Sequence, residues 1–448
     1  MDFRAQGLQR IALITVLFSL AAWLVSCGSS RPSTAASTSG LKFRAFAAQN
    51  VSVGPSTAFP GGVAAGIFII DAKLDVVSPK FINSGTFAWA PDLLFLAPNK
   101  KITLAYSSAD NSVAIVNNAS ESAGGSIPLT GSTESIAVSP DAAFGFAAVN
   151  NAPIAGVAPG ALEVMDLNVG NIPVTIPIPN AHFVAESHNG NRLLVFGDNS
   201  NSATLINTAN IPPCTGICGG PSPALCSTPS SVPVISCSIP GFDHPVGALF
   251  SSDDNTAYVL NCGPECGGTA ASIQAVDLVS QSPIGSPIPV QAATTALLNG
   301  STLYVAGTPK APGNSCGSST AATTCGRLDV VNLNTRTVTN SQVITDGYHN
   351  RIDLSQNGQL FVGARNCTNL STGGEVRGCL SIFNTLSPSI VIPPANGDVT
   401  GLQAIANRDV VYVVQNGELH IYDTTTDKLG ATQIDLNGQI TDVKLVDF

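Results

Sequence analysis

A short apolar run closing on Asp or Asn recurs eight times in this chain of 448 residues, at 67–71, 113–117, 162–166, 203–207, 273–277, 328–332, 380–384 and 419–423. The closing residues Asp71, Asn117, Asp166, Asn207, Asp277, Asn332, Asn384 and Asp423 stand roughly 40 to 70 residues apart, the period of a four-stranded blade repeated around a β-propeller. Regular repetition without a linker predicts one closed all-β domain over 41–448, where roughly 400 residues would ordinarily suggest two or three domains.

Each repeat divides into four strands. In one of them, 134–139 alternates as an inner strand, Ser139-Pro140-Asp141-Ala142 turns, 144–149 returns, 162–166 follows and 174–178 forms the outer edge. Equivalent turns occur at Ser187-His188-Asn189-Gly190, Ser251-Ser252-Asp253-Asp254 and Ser355-Gln356-Asn357-Gly358. Asp and Asn suit such turns because their short side chains bond the local backbone and tolerate left-handed geometry. Inner strands beginning near Asp92, Glu134, His182, Val246, Ala292, Asn350, Gly401 and Thr441 give eight modules; seven, with one irregular module as an insertion, is the alternative. A second-type strand at 43–48 and an inner-type strand at 442–446 are expected to complete one blade from both ends, which removes the exposed sheet edges.

Ser139-Pro140-Asp141, Tyr258-Val259-Leu260-Asn261 and Val164-Met165-Asp166 resemble the YVTN family of β-propeller repeats, over nearly the whole chain after residue 40. The resemblance implies the fold. It does not select a function, because surface, binding and lactonase-like proteins share this repeat.

The N-terminus carries an address. Arg4 and Arg10 precede an apolar run at 11–25, and Leu24-Val25-Ser26-Cys27 follows. A charged start, a short apolar stretch and small residues describe a secretion signal over 1–26 rather than a spanning helix. The four residues also resemble the bacterial lipoprotein lipobox, which implies cleavage before Cys27 and its acylation, with 27–40 as a flexible tether. Several buried acyl chains, at about 0.8 kcal/mol per CH₂, anchor a protein without a transmembrane helix. Gly28, where an Asp would retain the protein at the inner membrane, favours the outer membrane; the periplasmic and cell-surface faces both remain open. Only 11% of residues are charged, and a net charge of −10 without a basic stripe argues against nucleic acid as a partner.

Of 11 cysteines, Cys27 is set aside as the expected acylation site and ten remain. An exported chain with an even number of loop-confined cysteines is expected to form disulfides. Cys262 with Cys266, Cys316 with Cys325 and Cys367 with Cys379 each lie between second and third strands of one blade. Cys214, Cys218, Cys226 and Cys237, around an insertion at 211–232, leave three pairings open. Zinc and haem spacings are missing.

Long connections at 51–66, 150–160, 262–271, 308–327 and 365–378 should emerge on one face around the channel mouth. Long loops in a compact domain are commonly functional. Asp92, Glu134, His182, Asp243, His244, His349, Asn350 and Arg351 fall near that mouth, a candidate site for a divalent metal, a sugar or an anionic small molecule; exposed strand entries attract polar residues in any case. No resident cofactor is indicated, and no nucleophile elbow, His-Glu-x-x-His or phosphate loop occurs. The expected function is a membrane-anchored scaffold that binds protein or polysaccharide through its looped face. A metal-assisted hydrolase or lactonase using the rim residues, and a structural part of a surface or outer-membrane assembly, are the alternatives.

Overall fold

The computed structural model describes residues 38–52, 64–83, 89–211, 214–220, 222–226, 235–309, 325–372, 375–434, 436 and 439–447. Leu41–Phe448 forms one compact unit; of Met1–Gly40 only the last three residues are described, so Cys27 lies outside them. Eight antiparallel blades make an eight-bladed propeller. Blade 1 combines Arg44–Gln49, Gly66–Asp71 and Val76–Ile82 with the distant Ile440–Leu445. The inner strands of blades 2 to 8 are Leu93–Leu96, Ser135–Val138, Ala181–Glu186, Pro245–Phe250, Thr295–Asn299, Tyr348–Leu354 and Val399–Ala404.

All eight Asp or Asn residues that close the apolar runs end third strands, and the reason is local hydrogen bonding. Asp71 Oδ1 accepts the backbone N–H of Lys73 at 2.9 Å, Asp166 that of Asn168 at 2.9 Å, Asp277 that of Val279 at 2.7 Å and Asn384 that of Leu386 at 2.9 Å. The preceding turn is built as tightly. Ser139 Oγ donates to Asp141 Oδ1 at 2.6 Å and accepts Phe144 N–H at 2.9 Å, and Ser187 with Asn189, Ser251 with Asp253 and Ser355 with Asn357 repeat the pair. Residues in the left-handed region close these turns, including Ala142 at φ 61° and Gly358 at φ 88°.

Eight apolar clusters fill the seams between neighbouring blades. Between blades 2 and 3, for example, Leu104, Tyr106 and Val113 meet Ala147, Val149 and Met165, all buried. Burying an aliphatic side chain contributes about 1.5–3 kcal/mol, so each blade depends on both neighbours for most of its stability.

The ring closes as the termini suggest. Ala45 pairs with Leu445 and Ala48 with Asp442. Arg44 holds the junction, with Nε 2.5 Å from Asp447 Oδ2, Nη2 2.8 Å from Oδ1, and Nη1 2.8 Å from Glu121 of blade 2. On the other side of blade 1, Arg408 of blade 8 grips Asp75 in the same forked way, at 2.5 and 2.8 Å.

Four disulfides are described, Cys214–Cys218, Cys226–Cys237, Cys262–Cys266 and Cys367–Cys379, with Cα separations of 6.3, 4.8, 5.7 and 5.4 Å. They settle the pairing among the first four cysteines. Cys325 is also disulfide-bonded, whereas Cys316 lies outside the described residues. The insertion runs between the third and fourth strands of blade 4, Ser202–Asn207 and Ser236–Pro240, and so leaves from the face opposite the long second-to-third loops. Its Gly216–Ile217 adds a parallel fifth strand to the outer edge of blade 3.

Candidate functional site

The inner strands share a device near the looped mouth. Register shifts by one residue between Ala181 and Phe183, Pro245 and Gly247, His349 and Arg351, and Val399 and Gly401, leaving His182, Val246, Asn350 and Thr400 as bulged residues of four blades. In blade 1 the shift falls between Ala48 and Gln49, opposite Thr441. A bulge releases its residue from the ladder and re-aims neighbouring side chains, and here it does so around one rim.

Three cavities adjoin at this rim. One of about 820 Å³ runs along the channel, from Glu134 and Asn350 to His188 and Pro140 at the opposite turns. A second of about 320 Å³ shares Leu93, Glu134, Thr295, Asn350 and Arg351 with it and adds Phe183, Tyr348 and Arg365. A third of about 280 Å³ is lined by His182, Asp198, His244, Cys266 and Tyr348.

The expected site residues separate into three groups. Glu134 and His182 come together: His182 Nδ1 is 2.6 Å from Asp198 Oδ1, its Nε2 is 3.9 Å from Glu134 Oε2, and its ring stacks on Phe183 at 4.1 Å. Burial lowers the His182 pKa, but the nearby Glu134 carboxylate and the hydrogen bond with Asp198, with their negative charge, outweigh it, so the imidazole is held above its ordinary value. Glu134 is correspondingly held below the usual carboxylate range, first by His182 and then, against its own burial, by Arg365 and Arg351.

Asp92, Asp243 and His244 serve the loops. Asp92 accepts Asn50 Nδ2 and Ser108 N–H, both at 2.6 Å. Asp243 accepts the Thr269 and Ala270 N–H groups at 2.9 and 2.7 Å and the Thr269 hydroxyl at 2.6 Å, fixing the 262–271 loop; His244 sits 3.3 Å from it. These acceptor bonds lower the Asp243 pKa despite the opposing effect of burial.

His349 is fully buried, with Nε2 2.9 Å from the Thr345 carbonyl. It packs inside blade 7 and lines none of the three cavities. Its bulged neighbour Asn350 and the following Arg351 do line the channel. Arg351 Nε and Nη1 donate to the carbonyl oxygens of Thr400 and Asn350 at 2.6 and 3.0 Å. Among the described residues no group of three or more His, Cys, Asp or Glu side chains is placed to hold a metal ion.

Sequence reasoning missed Asp198, Tyr348, Arg365 and Glu186. Asp198 and Arg365 stand at or just beyond the ends of second strands, and only pairing brings Arg365 beside Tyr348. Glu186 closes the inner strand of blade 4, lines the channel, and has a buried Oε1 without a partner. Burial, with a smaller contribution from Asp141, raises its pKa to about 8.

These features define an eight-bladed propeller whose looped mouth opens on a mixed-charge channel. The fold is similar to that of a dihydro-heme d1 dehydrogenase, NirN, in complex with DHE, at 10% identity and TM-score 0.58 over 92% of this chain and 76% of that one. It is also similar to the Dos1 propeller, at 12% identity and TM-score 0.55 over 79% of this chain and 85% of that one. No family model matches, and no curated protein matches. Identities this low establish the fold alone.

Proposed function

We propose that this chain is an exported, lipid-anchored propeller with repeats of the YVTN kind, and that it works as a binding scaffold for polysaccharide or protein at the looped face of its channel. Disulfides support an oxidising compartment outside the cytoplasm. The observation that carries the binding reading is that the rim cavities and two stapled loops share one face. Cys262–Cys266 closes the 262–271 loop, and Cys266 itself lines the 280 Å³ cavity. Cys367–Cys379 closes the corresponding loop of blade 7, two blades on. Cross-linked loops around a concavity present a preorganised surface, and preorganisation lowers the entropic cost of binding.

The test is capture of purified cell-envelope polysaccharides and of labelled envelope proteins on immobilised full chain, compared with a variant whose 366–379 loop is shortened to a tight turn. The scaffold reading expects a saturable ligand that the shortened variant loses while its thermal midpoint stays within a few degrees. Saturable capture that survives shortening, or no capture by the intact chain, refutes it.

A further inference from the structure

Arg351 and Arg365 line the same 320 Å³ cavity, one from the inner strand of blade 7 and one from the end of its second strand. Neither has a carboxylate within 4.0 Å among the described residues, although Arg44, Arg377 and Arg408 elsewhere all do. Arg351 is anchored on two carbonyl oxygens, which orient the guanidinium without neutralising it. Arg365 Nε is buried and has no hydrogen-bond partner. A buried charged donor left unsatisfied is expensive and asks for an acceptor. Asn350 Oδ1, which is also buried and without a partner, asks for a donor. The same cavity is also lined by Leu93, Phe183 and Val246, from blades 2, 4 and 5.

We infer that Arg351 and Arg365 form a carboxylate subsite for an acidic sugar, a hydroxylated ring bearing one carboxylate. The inference rests on the binding reading above and names the ligand chemistry of that mouth. A guanidinium fork matches the two oxygens of a carboxylate, a ring hydroxyl supplies the donor that Asn350 Oδ1 lacks, and Phe183 offers a flat apolar face to the ring. The cavity falls at the small end of the roughly 300–1,000 Å³ common for ligand sites, which suits one sugar residue entering from the mouth. Burial lowers the Arg351 pKa and the nearby Arg365 adds to that, while Asp442 and Glu134, which lines the same cavity, oppose it; a bound anion relieves the burial and the repulsion between the two arginines.

Calorimetric titration of the full chain with D-glucuronate, D-glucose and inorganic phosphate tests this. Glucuronate is expected to bind at least tenfold more tightly than the other two. Arg365→Gln should weaken it roughly 10- to 100-fold, the loss of a charge-assisted hydrogen bond. Arg365→Lys, which keeps the charge and loses the fork, should fall between. Lys73→Gln, on the opposite face, should change nothing, and all three variants should melt with the wild type. Glucuronate binding no tighter than glucose, tighter binding of phosphate, or equal affinity in Arg365→Gln overturns the subsite. In each of those cases capture that depends on the 366–379 loop would still uphold the scaffold reading, so the two failures are separable.

Discussion

His349 gives the fold a calculable sensitivity to acid. Its Nε2 lies 2.9 Å from the Thr345 carbonyl and so carries the proton and donates, while Nδ1 is buried with no partner. Protonating Nδ1 would create a charge inside blade 7. Burial therefore pulls the pKa down to about 4, against the Thr345 carbonyl and Asp346, which both push it up. An unfolded histidine titrates near 6.5, and a gap of about 2.5 units at about 1.36 kcal/mol each amounts to about 3 kcal/mol. The folded value is the depressed one. The contribution is therefore complete above about pH 6.5 and is lost as the pH falls from there to about 4, where the unfolded chain takes up a proton that the folded chain refuses. Urea unfolding between pH 4 and 7.5 should be run on the wild type and on His349→Gln, whose amide can still donate to Thr345. Carboxylates titrate in both proteins, so the difference between the two curves isolates the imidazole. Wild type should lose about 3 kcal/mol more than the variant across the window. Parallel curves would refute the assignment of a neutral, inward-facing His349.

Glu186 works in the opposite direction. Its folded pKa of about 8 lies above the unfolded value, so wild type is penalised increasingly as the pH rises from about 4.5 to 8, and Glu186→Gln should become the more stable protein over that interval by urea unfolding. At the junction, Arg44→Met removes the guanidinium that bridges Glu121 and Asp447 and should cost about 3 kcal/mol in chemical denaturation, with a matching drop in thermal midpoint. Replacing Cys367 and Cys379 by serine opens a loop of sequence separation 12 and should cost about 2–3 kcal/mol by the chain-entropy estimate; dithiothreitol should produce no further loss from that loop.

The blade count was legible because its signals are local. Asp141, Asn189, Asp253 and Asn357 each bond a serine two residues earlier, so the turn chemistry is complete within a few residues. The shared blade of the two ends was legible for a related reason, since each end presents a strand lacking partners. The site was less so. His349 and Arg351 are two residues apart and would face the same way in a regular strand. The bulge at Asn350 pairs them with Ala364 and Gly363, adjacent residues on opposite sheet faces, and this parity change sends one inward and leaves the other on the channel. Nothing in the local sequence marks that slip. Arg365 was missed because its significance is its position beside Tyr348, which exists only after pairing. The parallel strand of the insertion likewise depends on an outer edge of blade 3 that the preceding repeat supplies.

The junction in blade 1 also sets an order of events. Arg44 and Asp447 are 403 residues apart, so seven blades can stack before the strand at Ile440–Leu445 reaches its place. Until then blade 1 has an unpaired inner edge, and blade 8 meets only the three strands of blade 1 that come from the start of the chain. A chain that crosses a membrane unfolded would therefore circularise only after residue 447 had emerged, and any product cut short of it would display an open strand edge. The strand at Ile440–Leu445 thus makes closure of the ring all-or-none: without it the inner edge of Arg44–Gln49 stays open however well the other seven blades are formed.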